Sequence, residues 1–317
     1  MLAYLLKRLA MTVLVVVVVM TFMASLVHLI PGDPVTTILG PRADPELSKV
    51  VRHTMQLDQP VPTQIWNFVT GALHGDLGTD FVSNVDVTTL VFNALPHTII
   101  LAVASLLLAV LVGVPLGVYA AVRPNSWLDR ITGVLAVSCI TIPPYVAGLF
   151  LLLLFSVHWH VLPAIGAGSL SHPVDYGKHL LLPAVALAIT WIGYLARLVR
   201  ASMLEVLNAN YIRTAEAFGL RERAIFYRYA LKNAIIPTVA VLGVGLGTLM
   251  GGAIFVEVIF ARPGLGTLIY DSIQSRNYPI VRGGVLVVAI LFVLANLLAD
   301  LSYRLLDPRI RAEEGGR

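Results

Sequence analysis

The chain has 317 residues, of which 57% are hydrophobic and only 13% are charged. Charged residues make up about a quarter of an average globular protein, so half that share, with a mean hydropathy of +0.83, excludes a soluble domain and indicates an integral membrane protein. The net charge of +4 does not indicate nucleic acid binding, because the basic residues lie beside long apolar runs, as topology signals do.

The first apolar run, residues 9–30, can be interpreted as a cleaved signal peptide or as a retained transmembrane span. Lys7 and Arg8 precede it, as basic residues precede the apolar part of a signal peptide. The run is longer than the roughly 7–15 apolar residues of such a signal, and no A-x-A cleavage pattern follows it. We therefore predict a retained first span.

Five further apolar runs are long enough to cross a bilayer. Spans are predicted at about 9–30, 97–122, 131–157, 180–203, 234–258 and 283–306. Lys and Arg favour the cytoplasmic side, and with the N-terminus inside, that side holds 15 of them against 7 outside. We predict an all-α polytopic membrane protein with six transmembrane helices, N-in and C-in. The lone Cys139 lies in an apolar run, which excludes an internal disulfide.

The segment between the first two spans, residues 31–96, is predicted to lie outside the cell. It carries seven acidic residues and is too polar to cross the membrane, and it is too rich in Pro and Gly to form one helix. Short amphipathic helices are expected at about 45–57 and 62–73. Both a small extracellular cap and an ordered loop resting on the membrane fit this pattern.

Small residues and prolines interrupt the spans. Span two contains Gly113 and Gly117, and span five repeats the four-residue spacing with three glycines. This pattern predicts close helix packing, and it leaves open that these faces move against a partner. Pro143-Pro144 predicts a kink near mid-membrane, where freed carbonyls either line a polar path or bond neighbouring hydroxyls. The candidate path residues are Pro143, Pro144, Gly247, Gly251 and Glu257, although access to the polar interface also explains a glutamate near a span end.

The sequence shows neither a series of charged residues within the spans nor a known catalytic or nucleotide-binding motif. No series of charged residues runs through the spans, which weighs against an ion-coupled secondary transporter. No G-x-S-x-G, H-E-x-x-H, Walker A or C-x-x-C pattern occurs. His158 and His160 lie close together at the outer end of span three, where an interfacial role is favoured over a metal site. We predict no catalytic, cofactor or metal residues, so any ATP used is bound by another polypeptide.

A polar segment, residues 204–233, separates spans four and five and is much longer than a loop between two transmembrane helices requires. It carries five basic residues against three acidic ones. Its length, charge and helical patterning predict a docking surface that faces the cytoplasm. The alternative is a basic amphipathic helix that lies on anionic lipid headgroups.

Within this segment, residues 211–219 read YIRTAEAFG and resemble the EAA loop of bacterial ABC importer permeases, in the form used by the dipeptide and oligopeptide branch. Four further stretches resemble that branch, in the right order along nearly the whole chain. They are 31–34, 57–60 with 75–78, 251–257 with 262–266, and 306–309. The long segment 31–96 resembles the B-type permease of such a pair more than its C-type partner. Two departures are Leu231-Lys232, where the general pattern has Leu-Pro, and Arg213, which replaces the glutamate of the motif's name.

The resemblance implies the type I permease fold of ABC importers, in which a short cytoplasmic coupling helix sits in a groove of the ATPase subunit. Here that helix is expected from about Ala209 to Phe218, with Gly219 as its C-terminal cap. Tyr211, Ala215 and Phe218 are expected to supply apolar contact to the ATPase. The full set of ATPase-coupling candidates is Tyr211, Arg213, Thr214, Ala215, Glu216, Ala217, Phe218 and Gly219.

The function implied by the resemblance is inward transport of di- or oligopeptides across the inner (plasma) membrane of a bacterium. ATP and Mg would be bound by two cytoplasmic ATPase subunits, so this chain is expected to be a transport subunit without enzyme activity or a cofactor of its own. Further expected partners are a second homologous permease, membrane lipid and an extracellular substrate-binding protein that meets residues 31–96 and 262–282. No nucleic acid is expected.

The chain is accordingly divided into four segments. These are a tail with the first span (1–30), an extracellular segment (31–96), a five-helix permease core (97–306) with its coupling loop (204–233), and a cytoplasmic tail (307–317). Permeases for nickel, glutathione or other small solutes remain open alternatives within the ABC class. Outside that class, the alternatives are an ion-coupled secondary transporter and a non-transporting membrane scaffold.

Overall fold

The structure is a computed structural model, and it describes residues 10–11, 13–23, 35, 44–55, 57–80, 82–169 and 171–306. Every element in these ranges is a helix, and the only extended pairing there is an antiparallel bridge between Thr79 and Asp86. Both ends of the first predicted span, the 31–34 stretch and the tail 307–317 lie outside the described residues. The prediction of an all-α polytopic membrane protein is confirmed.

The helices follow the predicted order. The first group comprises α1 (Val13–Met23), α2 (Pro45–Thr54), α3 (Val61–Leu73), α4 (Val87–Val122), α5 (Trp127–Thr141), α6 (Pro144–Leu151) with a π-helical continuation (Leu152–His158), and α7 (Pro173–Leu207). The second comprises α8 (Asn210–Ala217), α9 (Glu222–Ala224), a π-helical turn (Ile225–Ala230), α10 (Leu231–Ala234), α11 (Ile236–Ile259), α12 (Leu265–Gln274) and α13 (Tyr278–Leu306). Among the described helices, α4, α7, α11 and α13 are long and apolar enough to cross a membrane, and the bent α5–α6 pair is a fifth candidate. Helix α1 lies inside the predicted first span.

Two spans are longer than hydropathy predicts. Helix α4 starts at Val87 rather than near residue 97, and α7 starts at Pro173 rather than near residue 180. The 36 residues of α4 measure about 54 Å at 1.5 Å per residue, well beyond the roughly 30 Å of a hydrocarbon core. The added turns are polar enough to lie outside the bilayer, so a hydropathy pattern does not include them.

The predicted break in the third span is confirmed, and it is sharp. The axes of α5 and of α6 with its continuation differ by 101°. Ile142 leaves the helix with ψ 119° and Pro143 is extended with ψ 140°, because a residue before proline avoids the helical region and proline has no N–H to donate. The Oγ1 of Thr190 on α7 donates to the carbonyl of Ile142 at 3.3 Å, which satisfies one freed acceptor.

The chain divides into two compact units that differ from the linear segments predicted. Unit 1 contains residues 1–99 and 261–293, and unit 2 contains residues 100–260 and 294–317. The outer segment therefore belongs to one unit with α12 and the first part of α13. Helices α2 and α3 match the short helices expected there, with the Asp44 carboxylate accepting from the Glu46 N–H at the start of α2.

Unit 1 combines an apolar core with a buried polar link. The core joins α3, α4, α12 and α13 through side chains that include Val87, Val91 and Leu265. Asp80, only 6% exposed, accepts from Asn277 Nδ2 at 2.5 Å and from Ser83 Oγ at 2.5 Å. Burial alone would raise the pKa of the Asp80 carboxyl, but these hydrogen bonds and that of the Val82 N–H outweigh burial and hold the pKa below its ordinary value.

Unit 2 packs its helices at short range through small residues. A Cβ added to Gly113 would lie 2.9 Å from the Ile192 carbonyl oxygen of α7, and one added to Gly117 would lie 2.6 Å from that of Ala196. A Cβ on Gly243 would collide with Ala299 of α13. The predicted close packing of spans two and five is confirmed at these glycines, since only a residue without a side chain allows such an approach.

Candidate functional site

The predicted coupling loop, residues 204–233, is called the coupling segment below. Its helix α8 runs from Asn210 to Ala217 and matches the predicted coupling helix to within one residue at each end. No side chain caps its N-terminus, where Ala209 adopts an extended conformation. Two turns of helix are marginal in isolation, so packing and the C-terminal turn must hold α8 in place.

One face of α8 is anchored in the core of unit 2. Ile212 is fully buried and Ala215 is 6% exposed. They pack with Val199 and Met203 of α7 and with Ile225 of the following π-helical turn. The expectation that Ala215 offers apolar contact to a partner is therefore wrong for the side chain, because its own chain already covers it. Ala215 and Ile212 lie three residues apart and share one face, which fixes the orientation of the helix.

The C-terminal end of α8 is closed by the predicted glycine cap. Gly219 has φ +73°, a conformation that costs most other residues about 1–2 kcal/mol. Its N–H donates to the Glu216 carbonyl at 2.9 Å, and the Leu220 N–H donates to the Ala215 carbonyl at 3.3 Å. These two bonds form a Schellman motif, which satisfies carbonyls that the helix itself leaves free. Nothing lies within 4 Å of a Cβ placed on Gly219, so the backbone conformation and not space selects glycine.

The opposite face of the segment is exposed and partly aromatic. Phe218 is 81% exposed, Tyr227 63% and Tyr211 43%. Large exposed apolar side chains grouped on a polar, basic segment are typical of a protein interface. The predicted coupling residues Arg213, Thr214, Glu216 and Ala217 are also exposed.

Sequence reasoning missed Tyr227 and Leu220, which extend the exposed apolar surface beyond the motif. Leu220 is 39% exposed, and Tyr227 lies in the π-helical turn Ile225–Ala230. The signal was present in the aromatic run Phe226-Tyr227 and Tyr229, but nothing in the sequence assigns those rings to the outer face. Helix α10, which follows this turn, is tied back to α8, because Asn233 Nδ2 donates to the Tyr211 hydroxyl at 2.9 Å.

A partly buried ion pair lies at the start of α5. Arg200 of α7 donates to both carboxylate oxygens of Asp129, with Nε 2.6 Å and Nη2 2.8 Å away. The Asp129 side chain is 7% exposed and that of Arg200 is 35% exposed, and the Asn125 N–H adds a further bond at 2.9 Å. A two-pronged pair of this kind fixes geometry as well as charge. It joins the broken span to the helix that leads into α8.

The candidate path residues are not all on one surface. Pro143 and Gly251 are exposed and Pro144 is half-buried, whereas Gly247 and Glu257 are buried. Within unit 2, an aromatic pair not predicted from the sequence lies near the exposed members: the Tyr145 and Phe255 ring centroids are 6.1 Å apart. Both rings are about half exposed. The exposed surface at the bend is therefore formed by proline, glycine and aromatic residues.

Comparison with known proteins identifies relatives along the whole chain. The family described as "Binding-protein-dependent transport system inner membrane component" matches residues 113–312. The family described as "Binding-prot-dependent transport system membrane comp, N-term" matches residues 1–102. The coupling segment lies entirely within the first match.

Individual relatives cover nearly the full length. "Glutathione transport system permease protein GsiC" of Pectobacterium atrosepticum is 40% identical over 311 residues, which cover 98% of this chain and 99% of the relative. The protein of the same name from Salmonella typhimurium is 39% identical over the same shares, and that of Escherichia coli O6:H1 is 37% identical.

Two solved structures show the shared fold. The inward-facing MetNI methionine ABC transporter matches with a TM-score of 0.58 and 20% identity, over 69% of this chain and 96% of the matched chain. An amino acid ABC transporter crystallised with histidines matches with a TM-score of 0.55 and 16% identity, over 68% of this chain and 94% of the other. The membrane helices thus adopt the fold of ABC importer permeases.

Proposed function

The chain belongs to the family of binding-protein-dependent transport system inner membrane components, and on that premise we propose that it moves small peptides, glutathione among them, into the cell. It is a multi-pass permease subunit of an ABC importer, and ATP hydrolysis lies in partner subunits. The substrate class is the proposed part. Glutathione is a tripeptide, so it falls within the peptide class that the sequence motifs indicate.

One observation carries the proposal: relatives named as glutathione transport permeases are 37–40% identical to this chain over 98% of its length. This similarity extends from the outer segment to the last span. The structural relatives handle methionine and another amino acid, but at 20% identity or less they support the fold alone.

The coupling segment is the proposed lever between ATP hydrolysis and transport. Ile212 and Ala215 attach α8 to α7 in the core of unit 2, while Phe218 and Tyr227 are exposed. A groove on a partner ATPase that gripped the exposed rings would pull on α7 through the buried face. A short, capped helix transmits such movement without being deformed, because its end is fixed by the Gly219 turn.

The proposed assembly contains a second homologous permease, two ATPase subunits with ATP and Mg, and an extracellular binding protein. The outer segment shares unit 1 with residues 261–293, and this surface is proposed to receive the binding protein. We propose no tight solute site in this chain, because importing peptides of varied sequence disfavours one.

The decisive experiment is ATP-dependent uptake into vesicles that contain the whole assembly, with labelled glutathione, an unmodified dipeptide and nickel in separate reactions. Saturable glutathione uptake that dipeptides compete with supports the proposal. Nickel uptake without peptide uptake would refute the substrate class, and uptake driven by an ion gradient without ATP would refute the mechanism. Phe218→Ser separates docking from folding: the ring is 81% exposed, so the variant should fold normally yet lose most ATP-driven uptake.

A further inference from the structure

A cavity with no assigned role lies within unit 1, where the end of α1, the end of α12 and the start of α13 meet. Its volume is about 330 Å³. Among the described residues, the side chains that line it are Met23, Ser272, Ile273, Arg276, Tyr278, Val281 and Arg282. The predicted orientation of the chain puts these residues near the outer face of the membrane, away from the coupling segment.

Two arginines face this cavity. The Nε of Arg282 is closed to solvent and has no hydrogen-bond partner in the part of the chain that the structure describes. The guanidinium carbon of Arg282 lies 5.5 Å from the ring centroid of Phe68, so an aromatic face stabilises the cation on one side. Arg276 occupies the turn before α13 with φ +53°. Removing part of a cation such as Arg282 from water is costly unless an anion is bound, and cations are depleted on the outer side of membrane proteins.

The remaining walls of the cavity are mainly apolar. Met23, Ile273 and Val281 are the aliphatic or thioether side chains among the described lining residues. Ser272 adds little hydrogen-bonding capacity, because its Oγ already donates to the Leu268 carbonyl at 2.7 Å. A peptide carries many donors and acceptors that such walls would leave unbonded. The lining suits a ligand with one anionic group and a hydrocarbon chain.

We propose that this cavity binds an anionic phospholipid of the outer leaflet. The phosphodiester accepts hydrogen bonds from the guanidinium groups of Arg276 and Arg282, whose forked N–H donors match phosphate oxygens. An acyl chain packs against Met23, Ile273 and Val281. Basic pockets beside membrane helices bind lipid headgroups in this way. The site lies away from the coupling segment, and the proposal does not depend on which solute the permease carries.

The test uses membrane complexes purified with the full-length chain and reconstituted in nanodiscs of phosphatidylglycerol or phosphatidylcholine with identical acyl chains. Lipid that stays bound after delipidation is counted by native mass spectrometry. We expect retained phosphatidylglycerol and little phosphatidylcholine on the native chain. Each basic residue near a membrane surface contributes roughly fivefold to anionic lipid binding, so Arg276→Gln with Arg282→Gln should weaken retention about twenty- to thirtyfold.

Three further variants separate the explanations. Arg282→Lys keeps the charge but removes the fork, and it should lose part of the retention. Ile273→Trp fills the cavity from its exposed side and should expel the acyl chain while both arginines remain. Lys49→Gln removes an outer-side cation that does not line the cavity and should change nothing.

Four results would overturn the proposal. They are equal retention of both lipids by the native chain, equal loss in Lys49→Gln, displacement of the bound lipid by millimolar inorganic phosphate, and dissociation of a partner subunit in the arginine variants. Displacement by phosphate would make this a plain anion site. Dissociation would show that an acidic group of a neighbouring subunit, and not a lipid, pairs with Arg282.

Discussion

Replacing Gly219 is the sharpest test of the coupling segment, because its cost can be worked from the backbone alone. The residue has φ +73°, and a Cβ there meets no atom within 4 Å. Gly219→Val therefore causes no collision, and its whole effect comes from forcing a β-branched residue into the left-handed region. That costs about 2 kcal/mol, equivalent to about a thirtyfold shift from the capped turn to an open one.

Uptake should fall in proportion to the population of the capped turn. Helix α8 has no side-chain cap at its N-terminus, so its stability depends largely on the Schellman turn at its C-terminus. For Gly219→Val we therefore expect a five- to thirtyfold loss of ATP-driven uptake. Asparagine is the next most common residue at this cap position. Gly219→Asn should accordingly retain most uptake. Gly219→Asp is a weaker test than Gly219→Val, because aspartate also tolerates the left-handed region.

A second glycine provides a matched control for backbone strain. Gly75 has φ +83° and no atom within 4 Å of an added Cβ, but it lies in the outer segment. Gly75→Val carries the same intrinsic cost and should leave ATP hydrolysis coupled to uptake, whereas Gly219→Val should allow hydrolysis without transport. Normal uptake in Gly219→Val, or equal loss in Gly219→Asn, would show that the turn does not transmit movement.

Three further predictions concern stability. In a double-mutant cycle of Asp129→Ala and Arg200→Ala, thermal unfolding of the purified protein should give a coupling energy of about 1–2 kcal/mol. This is less than a fully buried pair would give, because the arginine is partly exposed. A value near zero would contradict a structural role for the pair. The pKa of the Asp80 carboxyl is depressed, so the carboxylate stabilises the fold fully above the ordinary value of 3.8 and loses that effect as pH falls below it. Asp80→Asn should therefore be less stable than the native chain at roughly neutral pH. In strong acid the two should be equally stable. Gly243→Ala should destabilise by about 1–3 kcal/mol through overpacking, while Gly251→Ala, which meets no atom within 4 Å, should be neutral; equal effects would rule out the close helix crossing.

Local chemistry explains what the sequence could predict. The apolar runs located the spans because a bilayer imposes a length on them. Pro143-Pro144 predicted the bend because two missing N–H groups cannot be replaced within one helix. Gly219 was assigned as a helix cap for a comparable reason, since it follows a short amphipathic helix and few other residues adopt its conformation.

Long-range contacts explain what the sequence could not predict. The Asp129–Arg200 pair joins residues 71 positions apart, and the Asp80–Asn277 bond joins residues 197 positions apart. Neither belongs to a motif. The orientation of Ala215 was misjudged for the same reason: an eight-residue helix has two faces, and only its packing on α7 decides which one is buried.

The break at Pro143-Pro144 leaves backbone carbonyls without their usual helical partners. Two successive prolines deprive the carbonyls of Cys139 and Ile140 of their intrahelical donors, and the Thr190 hydroxyl serves a different carbonyl, that of Ile142. We infer that the bend offers neutral backbone acceptors to a passing peptide, which suits substrates that share a backbone but not a side chain. Neutral acceptors cannot store energy from an ion gradient as a titrating carboxylate can. ATP hydrolysis in partner subunits supplies the work of transport, and we propose that α8, anchored to α7 on one face and exposed on the other, transmits it.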